Sequence, residues 1–124
     1  MSTQTKEAAL YSYWNSFEIN GYEENTVPHD ATFPYLTYQV VTDGRFGEAL
    51  TAVSLWYRSE SWLEINAKTQ EISEDLQSGV RLPCKGGHIW LKKGTPFAQN
   101  MSDSSDEKIK RKYLNVIAEY CTNV

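Results

Sequence analysis

The most constraining feature of this 124-residue chain is the regular spacing of apolar side chains near its end. Leu114, Val116, Ala118 and Tyr120 occupy every second position of one stretch. Side chains of a β-strand point alternately to its two faces, so this spacing predicts a strand with one buried face. The predicted strands are residues 35–42, 49–58, 88–93 and 111–121.

Two other stretches repeat apolar residues at intervals of three and four, the spacing of an amphipathic α-helix. The first helix is predicted over residues 3–17, with Ser2 or Thr3 as its cap. Its apolar face is Leu10, Tyr13, Trp14 and Phe17. The second helix follows a cap at Ser59 or Ser61, and Gly79 ends it. Its apolar face is Trp62, Ile65, Thr69, Ile72 and Leu76.

These elements predict a single domain over residues 1–124 with the order α-β-β-α-β-β. A turn at residues 43–47 joins the first two strands into a hairpin, and residues 20–34 and 94–107 are predicted to be loops. The expected fold class is α+β, a mostly antiparallel four-stranded sheet with two helices. A 14.2 kDa chain buries roughly two-thirds of its extended surface, which is enough for a core.

The two faces of the predicted sheet differ in composition. The apolar face predicts the core, formed by Leu36, Tyr38, Val40, Val53, Leu55, Tyr57, Ile89, Leu91, Leu114, Val116, Ala118 and Tyr120. The opposite face mixes Trp56 and Trp90 with polar residues such as Thr37 and Glu119. Because aromatic side chains on a polar background are typical of protein–protein interfaces, we interpret this face as an interaction surface. The alternative is that the second helix covers it and buries both tryptophans.

No arrangement of residues indicates catalysis, so we expect neither an enzyme nor a cofactor. The chain has no serine elbow, phosphate-binding loop, dinucleotide motif or zinc-protease motif. Glu23, Glu24, His29 and Asp30 are the densest set of potential metal ligands, but their spacing matches no known ligand pattern. Residues of this kind in a proline-containing loop usually form turns, so no metal site is predicted.

Charge and hydropathy limit the possible partners. The net charge is −4, which argues against binding to the nucleic-acid backbone. No apolar run is long enough to cross a bilayer and no signal peptide is evident, so Cys84 and Cys121 are expected to be reduced thiols. A cationic run consists of Lys108, Lys110, Arg111 and Lys112. It is either a solvated loop entering a strand or a patch for an acidic partner or passing DNA.

Four stretches of the chain resemble a known family. They are Tyr-Glu-Glu-Asn at residues 22–25, Phe-Pro-Tyr-Leu-Thr-Tyr-Gln at 33–39, Ser-Leu-Trp-Tyr at 54–57 and the final strand at 111–120. In these the sequence resembles the small tail-completion or minor tail proteins of siphophages and Gram-positive prophages, the tail terminators. The resemblance covers nearly the whole chain and is one of pattern, without a catalytic motif.

The resemblance implies an α/β domain that forms a homo-oligomeric ring, expected to be a hexamer, on the end of the tail tube. Its implied partners are the major tail protein and the head–tail connector proteins, with DNA at most passing through the ring. The implied location is the head–tail junction of the virion, after synthesis in the cytoplasm of the host bacterium.

The sequence therefore predicts a structural phage assembly protein of the tail-terminator kind. The alternatives are a head-closure or head–tail adaptor protein and a small protein-binding module. The candidate interface residues are Arg45, Phe46, Trp56, Trp90, Phe97, Lys108 and Lys110.

Overall fold

The computed structural model describes residues 4–41, 46–101 and 105–122. Within these residues the element order is α-β-β-β-α-β-β-β. The elements are α1 (Lys6–Trp14), β1 (Asn20–Glu23), β2 (Tyr35–Tyr38), β3 (Phe46–Arg58), α2 (Leu63–Asp75), β4 (Val80–Cys84), β5 (Gly87–Met101) and β6 (Ile109–Thr122). The strands form one sheet in the order β1-β2-β3-β6-β5-β4. The β1–β2 pair is parallel and the others are antiparallel, so the sheet is mixed.

The predicted four-stranded sheet with the order α-β-β-α-β-β is wrong, because the sheet has six strands. β1 lies in the predicted loop at residues 20–34, and its four residues bury only Gly21, so they carry no apolar alternation. β4 forms the opposite edge, and Pro83 within it is a residue that sheets tolerate only at edges or bulges. Both missed strands are short edge strands.

The predicted loop at residues 94–107 is also wrong over most of its length. β5 continues to Met101 and pairs with β6 on both sides of an irregularity between Lys93 and Ala98. A β-bulge of this kind shifts the register and interrupts the alternation of apolar residues. The long strand therefore appeared in the sequence as a short strand followed by a loop.

The helices begin and end inside their predicted limits. α1 is capped by Thr5 rather than by the predicted Ser2 or Thr3, and Thr5 Oγ1 accepts a hydrogen bond of 3.0 Å from the backbone N–H of Ala8. The N-cap of α2 is Trp62, so the predicted cap at Ser59 or Ser61 is wrong, although the Ser61 hydroxyl accepts from the backbone N–H of Leu63 at 3.0 Å. Neither helix in the described ranges has the length and apolar character needed to span a membrane.

The predicted core face is confirmed. Eleven of its twelve residues are buried, and the twelfth, Val40, is half-buried and packs against the others. α2 adds Ile65 and Ile72 to the same core, and both side chains are fully buried. The core therefore lies between the helices and one face of the sheet.

α1 contacts β1 and β4, which are the two opposite edges of the sheet. The sheet therefore curls around this helix, and Trp14 of α1 is only 2% exposed. At the β1 edge, the Asn15 side chain accepts from the backbone N–H of Gly21 at 2.9 Å and donates to its carbonyl at 3.0 Å. One side-chain amide thus satisfies both backbone groups of an edge residue.

Tyr120 is 1% exposed, and its hydroxyl has no hydrogen-bond partner among the described residues. Burial raises the pKa of this hydroxyl to about 12. Tyr120→Phe removes a buried hydroxyl that lost its hydration on folding without gaining a hydrogen bond. We therefore expect the free energy of unfolding to stay constant or rise by about 1 kcal/mol. Urea denaturation measures the change.

Tyr13→Phe is the matched control, because the Tyr13 hydroxyl donates a 2.6 Å hydrogen bond to Asp75 Oδ2. The same loss of one hydroxyl is expected to destabilise this variant by about 1–2 kcal/mol. If Tyr120→Phe lowered the free energy of unfolding as much as Tyr13→Phe, the Tyr120 hydroxyl would have a hydrogen-bond partner in the folded protein.

Candidate interaction site

The face of the sheet opposite the helices, here called the outer face, carries a row of large side chains across three strands. Tyr35 of β2 is in register with Trp56 of β3, which is in register with Arg111 of β6. The Tyr35 ring stacks on the indole of Trp56, with centroids 6.2 Å apart and planes 18° apart. Arg111 Cζ lies 4.6 Å from the indole centroid. The register of the strands therefore builds an aromatic and cationic ladder.

Smaller side chains beside this row leave a groove of about 310 Å³, here called the outer groove. Its lining residues are Glu24, Val27, Tyr35, Thr37, Gln39, Ala52, Ser54, Trp56, Arg111 and Tyr113. Thr37 and Ser54 are paired on neighbouring strands, and Ser54 is only 4% exposed. The groove is therefore a depression over short side chains, bounded by aromatic ones.

Hydrogen bonds hold two of the large side chains in place. Trp56 Nε1 donates to Thr37 Oγ1 at 3.1 Å, and Arg111 Nε donates to Ser54 Oγ at 3.2 Å. Each large side chain is thus fixed by a hydroxyl in the next row of the sheet. A surface held in this way loses little side-chain freedom when a partner binds.

Gln39 continues the pairing of β2 and β3 beyond the last residue of β2. Its backbone N–H donates to the Ala52 carbonyl at 3.1 Å, and its side-chain Oε1 accepts from the Ala52 N–H at 2.8 Å. On the same strand, burial and the nearby Tyr22 raise the pKa of Tyr35. Tyr35 therefore stays a neutral phenol at physiological pH.

A second exposed aromatic group lies further along the outer face. Trp90 is 39% exposed, and Lys92 Nζ lies 5.3 Å from its ring centroid. Lys92 also contacts Glu48 and Glu119 at 3.0 Å each, and these hydrogen bonds raise its pKa. A Cβ on Gly79, whose φ is +81°, would lie 2.2 Å from Trp90 Nε1. Only glycine leaves room for the indole here.

Neither Trp56 nor Trp90 is buried within the monomer. The alternative that the second helix covers both of them is therefore wrong. The residues that α2 buries, such as Ile65 and Ile72, belong to the core on the other face.

The cationic run, for which the sequence left open a solvated loop or a single patch, divides between the two faces. Lys110 Nζ lies 5.8 Å from the ring of Trp62, next to α2, whereas Arg111 contacts Trp56 on the outer face. Lys108 is exposed, 3.8 Å from a carboxylate oxygen of Glu60. Alternation along a strand separates neighbouring residues, so these side chains do not form a single docking surface.

Of the other candidate interface residues, Phe97 lies apart from this site. Phe97 is half-buried against the core, and Lys93 Nζ is 5.6 Å from its ring centroid. Phe46 is the first residue of β3. Arg45 lies outside the described residues.

Of the potential metal ligands named in the sequence, Glu23 forms local hydrogen bonds. The Glu23 carboxylate accepts hydrogen bonds from the backbone and the side chain of Asn25 at 2.6 and 2.9 Å. In the described part of the chain, no three or more His, Cys, Asp or Glu side chains are grouped as metal ligands. Cys84 and Cys121 are free thiols, and burial raises the pKa of Cys84.

Comparisons with known proteins identify no relative, since the chain matches no protein-family model, no curated protein and no solved structure.

Proposed function

We propose that the protein is a structural assembly protein that binds other protein subunits through the outer face, as a phage tail terminator does. The observation that carries this proposal is the pair of tryptophans, Trp56 and Trp90, on a polar sheet face that neither helix covers. Half-exposed tryptophans on a rigid, polar surface are typical of the residues that dominate binding energy at interfaces.

The proposed mechanism is steric and interfacial. Complementary surfaces on neighbouring subunits close a ring, expected to be a hexamer, and one face of the ring matches the last ring of the tail tube. A head-to-tail interface that closes gives a ring, and one that does not close gives a filament. The major tail protein and the head–tail connector proteins are the proposed partners, at the head–tail junction of the virion.

A second candidate is a small protein-binding module, which the outer groove favours. A groove of about 310 Å³ lies at the lower end of the volumes that bind ligands, and it would accept a segment of a partner without ring formation. A head-closure or head–tail adaptor protein would use the same outer face within a different assembly.

The mass in solution tests the ring. Light scattering after size-exclusion chromatography, over a wide range of protein concentrations, is expected to give six times the 14.2 kDa chain mass. Electron microscopy of the same fraction should show closed rings. A monomer at every concentration would contradict the ring and favour the binding module.

A further inference from the structure

Asn20 is the one asparagine in the sequence that a glycine follows. In an Asn-Gly pair the side-chain amide can react with the next backbone nitrogen, because glycine has no side chain that keeps the two groups apart. Asn20 is exposed at the start of β1, and Gly21 is buried beside it. The edge strand β1 therefore begins with two groups that can react with each other.

The reaction converts the Asn20 amide into a carboxylate. The backbone nitrogen of Gly21 attacks Asn20 Cγ, the new C–N bond closes a cyclic imide, and the bond from Cγ to Nδ2 breaks. The displaced nitrogen leaves as ammonia and takes up the proton that the Gly21 N–H loses. Water then adds to either carbonyl of the imide and opens the ring. The product is aspartate or isoaspartate, in which the main chain runs through the former side chain.

In the fold, Asn15 holds the attacking nitrogen. Asn15 Oδ1 accepts a hydrogen bond from the Gly21 N–H at 2.9 Å, and Asn15 Nδ2 donates to the Gly21 carbonyl at 3.0 Å. A Cβ on Gly21 would lie 2.7 Å from the carbonyl oxygen of Trp14, so the peptide has little room to turn. The nitrogen must break its hydrogen bond to Asn15 before it can lose the proton and attack.

Pairing of β1 with β2 is a second restraint. Asn20 and Gly21 are in register with Tyr35 and Leu36 of the parallel strand. Closure of the imide requires the main chain of Asn20 to leave the extended conformation of a strand. Local opening of β1, with release of Gly21 from Asn15, is therefore the step that permits the reaction.

We infer from this arrangement that Asn20 is a site of spontaneous deamidation, and that the Asn15 amide protects it while β1 stays paired. Isoaspartate lengthens the main chain by one carbon, which disturbs the register of β1 with β2. The new carboxylate also joins Glu18 in the lining of a cleft of about 410 Å³, where two negative charges repel each other. An opening of this edge can thus leave a permanent covalent mark. The inference does not depend on the proposed function.

The test is peptide mapping by mass spectrometry after incubation of the full chain in mildly alkaline buffer. The map detects the exchange of NH2 for OH at Asn20 and separates aspartate from isoaspartate. Asn15→Leu removes both bonds to Gly21, and we expect about tenfold faster deamidation, the factor in rate that corresponds to one hydrogen bond. Asn15→Asp keeps an oxygen for the Gly21 N–H and is expected to stay close to the wild-type rate. Asn100, exposed and followed by methionine, is the internal reference.

Tyr13→Phe separates release of β1 from unfolding of the whole domain. It removes a hydrogen bond to Asp75 but leaves Asn15 bonded to Gly21, so its Asn20 should react at the wild-type rate. Equal acceleration by Tyr13→Phe and Asn15→Leu would overturn the role of Asn15, as would an unchanged rate in Asn15→Leu. A capped peptide of residues 16–25 is expected to react faster than the folded chain. Equal rates would overturn the protection, and an unreactive peptide would overturn the site.

Discussion

Replacing Trp56 with glutamate is expected to abolish self-association and leave the domain folded. The indole lies on the outer face, fixed by its hydrogen bond to Thr37 and by stacking with Tyr35 and Arg111. Loss of an interfacial tryptophan costs about 2 kcal/mol or more, which weakens each contact roughly 30-fold. The loss recurs at every contact of a ring. Light scattering is therefore expected to give the monomer mass, with an unchanged circular dichroism spectrum.

Trp62→Glu is the matched control for this experiment. Trp62 is also half-buried and also has cations nearby, with Lys110 and Lys112 Nζ at 5.8 and 5.9 Å from its ring, but it lies on the helix side of the sheet. The same substitution there is expected to keep the ring but to lower the stability of the fold, because Trp62 packs against the core. An intact ring after Trp56→Glu would reject the outer face as the interface, and an unfolded Trp56→Glu would place the indole among the core residues.

Trp90→Glu gives an independent check on the same surface. Trp90 is 39% exposed, so glutamate at this position meets water and the fold is expected to remain intact. Dissociation of the ring by both substitutions would extend the interface across the outer face. If only Trp56→Glu dissociated it, the interface would be restricted to the outer groove.

The largest loss of stability is expected from Trp14→Ala. Trp14 is 2% exposed and packs between Tyr13 and Phe17, with ring centroids 4.8 and 6.1 Å away. Truncating a buried tryptophan costs about 3–5 kcal/mol, a large share of the 5–15 kcal/mol typical of whole domains. α1 contacts both edges of the sheet, so the cavity loosens β1 and β4 together. Urea unfolding measures the loss.

Tyr11→Ala on the same helix is the control, because Tyr11 is 56% exposed. Its free energy of unfolding should stay within about 0.5 kcal/mol of the wild type. If Trp14→Ala lowered the free energy of unfolding no more than Tyr11→Ala, α1 would not hold the curled sheet together.

The central strands were predictable because each buries one face. Leu114, Val116 and Ala118 alternate along β6, and the same spacing identified Trp56 and Trp90 as members of the opposite face. Alternation is a local property of a strand, so it is visible without any knowledge of the neighbouring strands.

The edges of the sheet were not predictable in this way. β1 buries only Gly21, and β4 contains Pro83, so neither shows the spacing of a half-buried strand. The bulge between Lys93 and Ala98 hid the second half of β5. In each case the conformation depends on a distant strand rather than on the local sequence.

The outer groove could not be predicted without knowing the register of three strands. Tyr35, Trp56 and Arg111 are far apart in sequence and become neighbours only when β2, β3 and β6 pair. Arg111 stood out in the sequence only as part of a cationic run. Thr37, Ser54 and Gln39 had no signal of their own, because each is an ordinary polar residue until strand pairing brings a donor to its oxygen.

The amide of Asn15 has a consequence for how copies of this protein meet in a concentrated solution. An exposed strand edge is a template on which other chains add strands and aggregate. At Gly21 both backbone groups that would accept such a strand are already bonded to Asn15. Asn15 therefore hinders the addition of a further strand at this edge. Loss of the amide, as in Asn15→Leu, is expected to promote aggregation into fibrils.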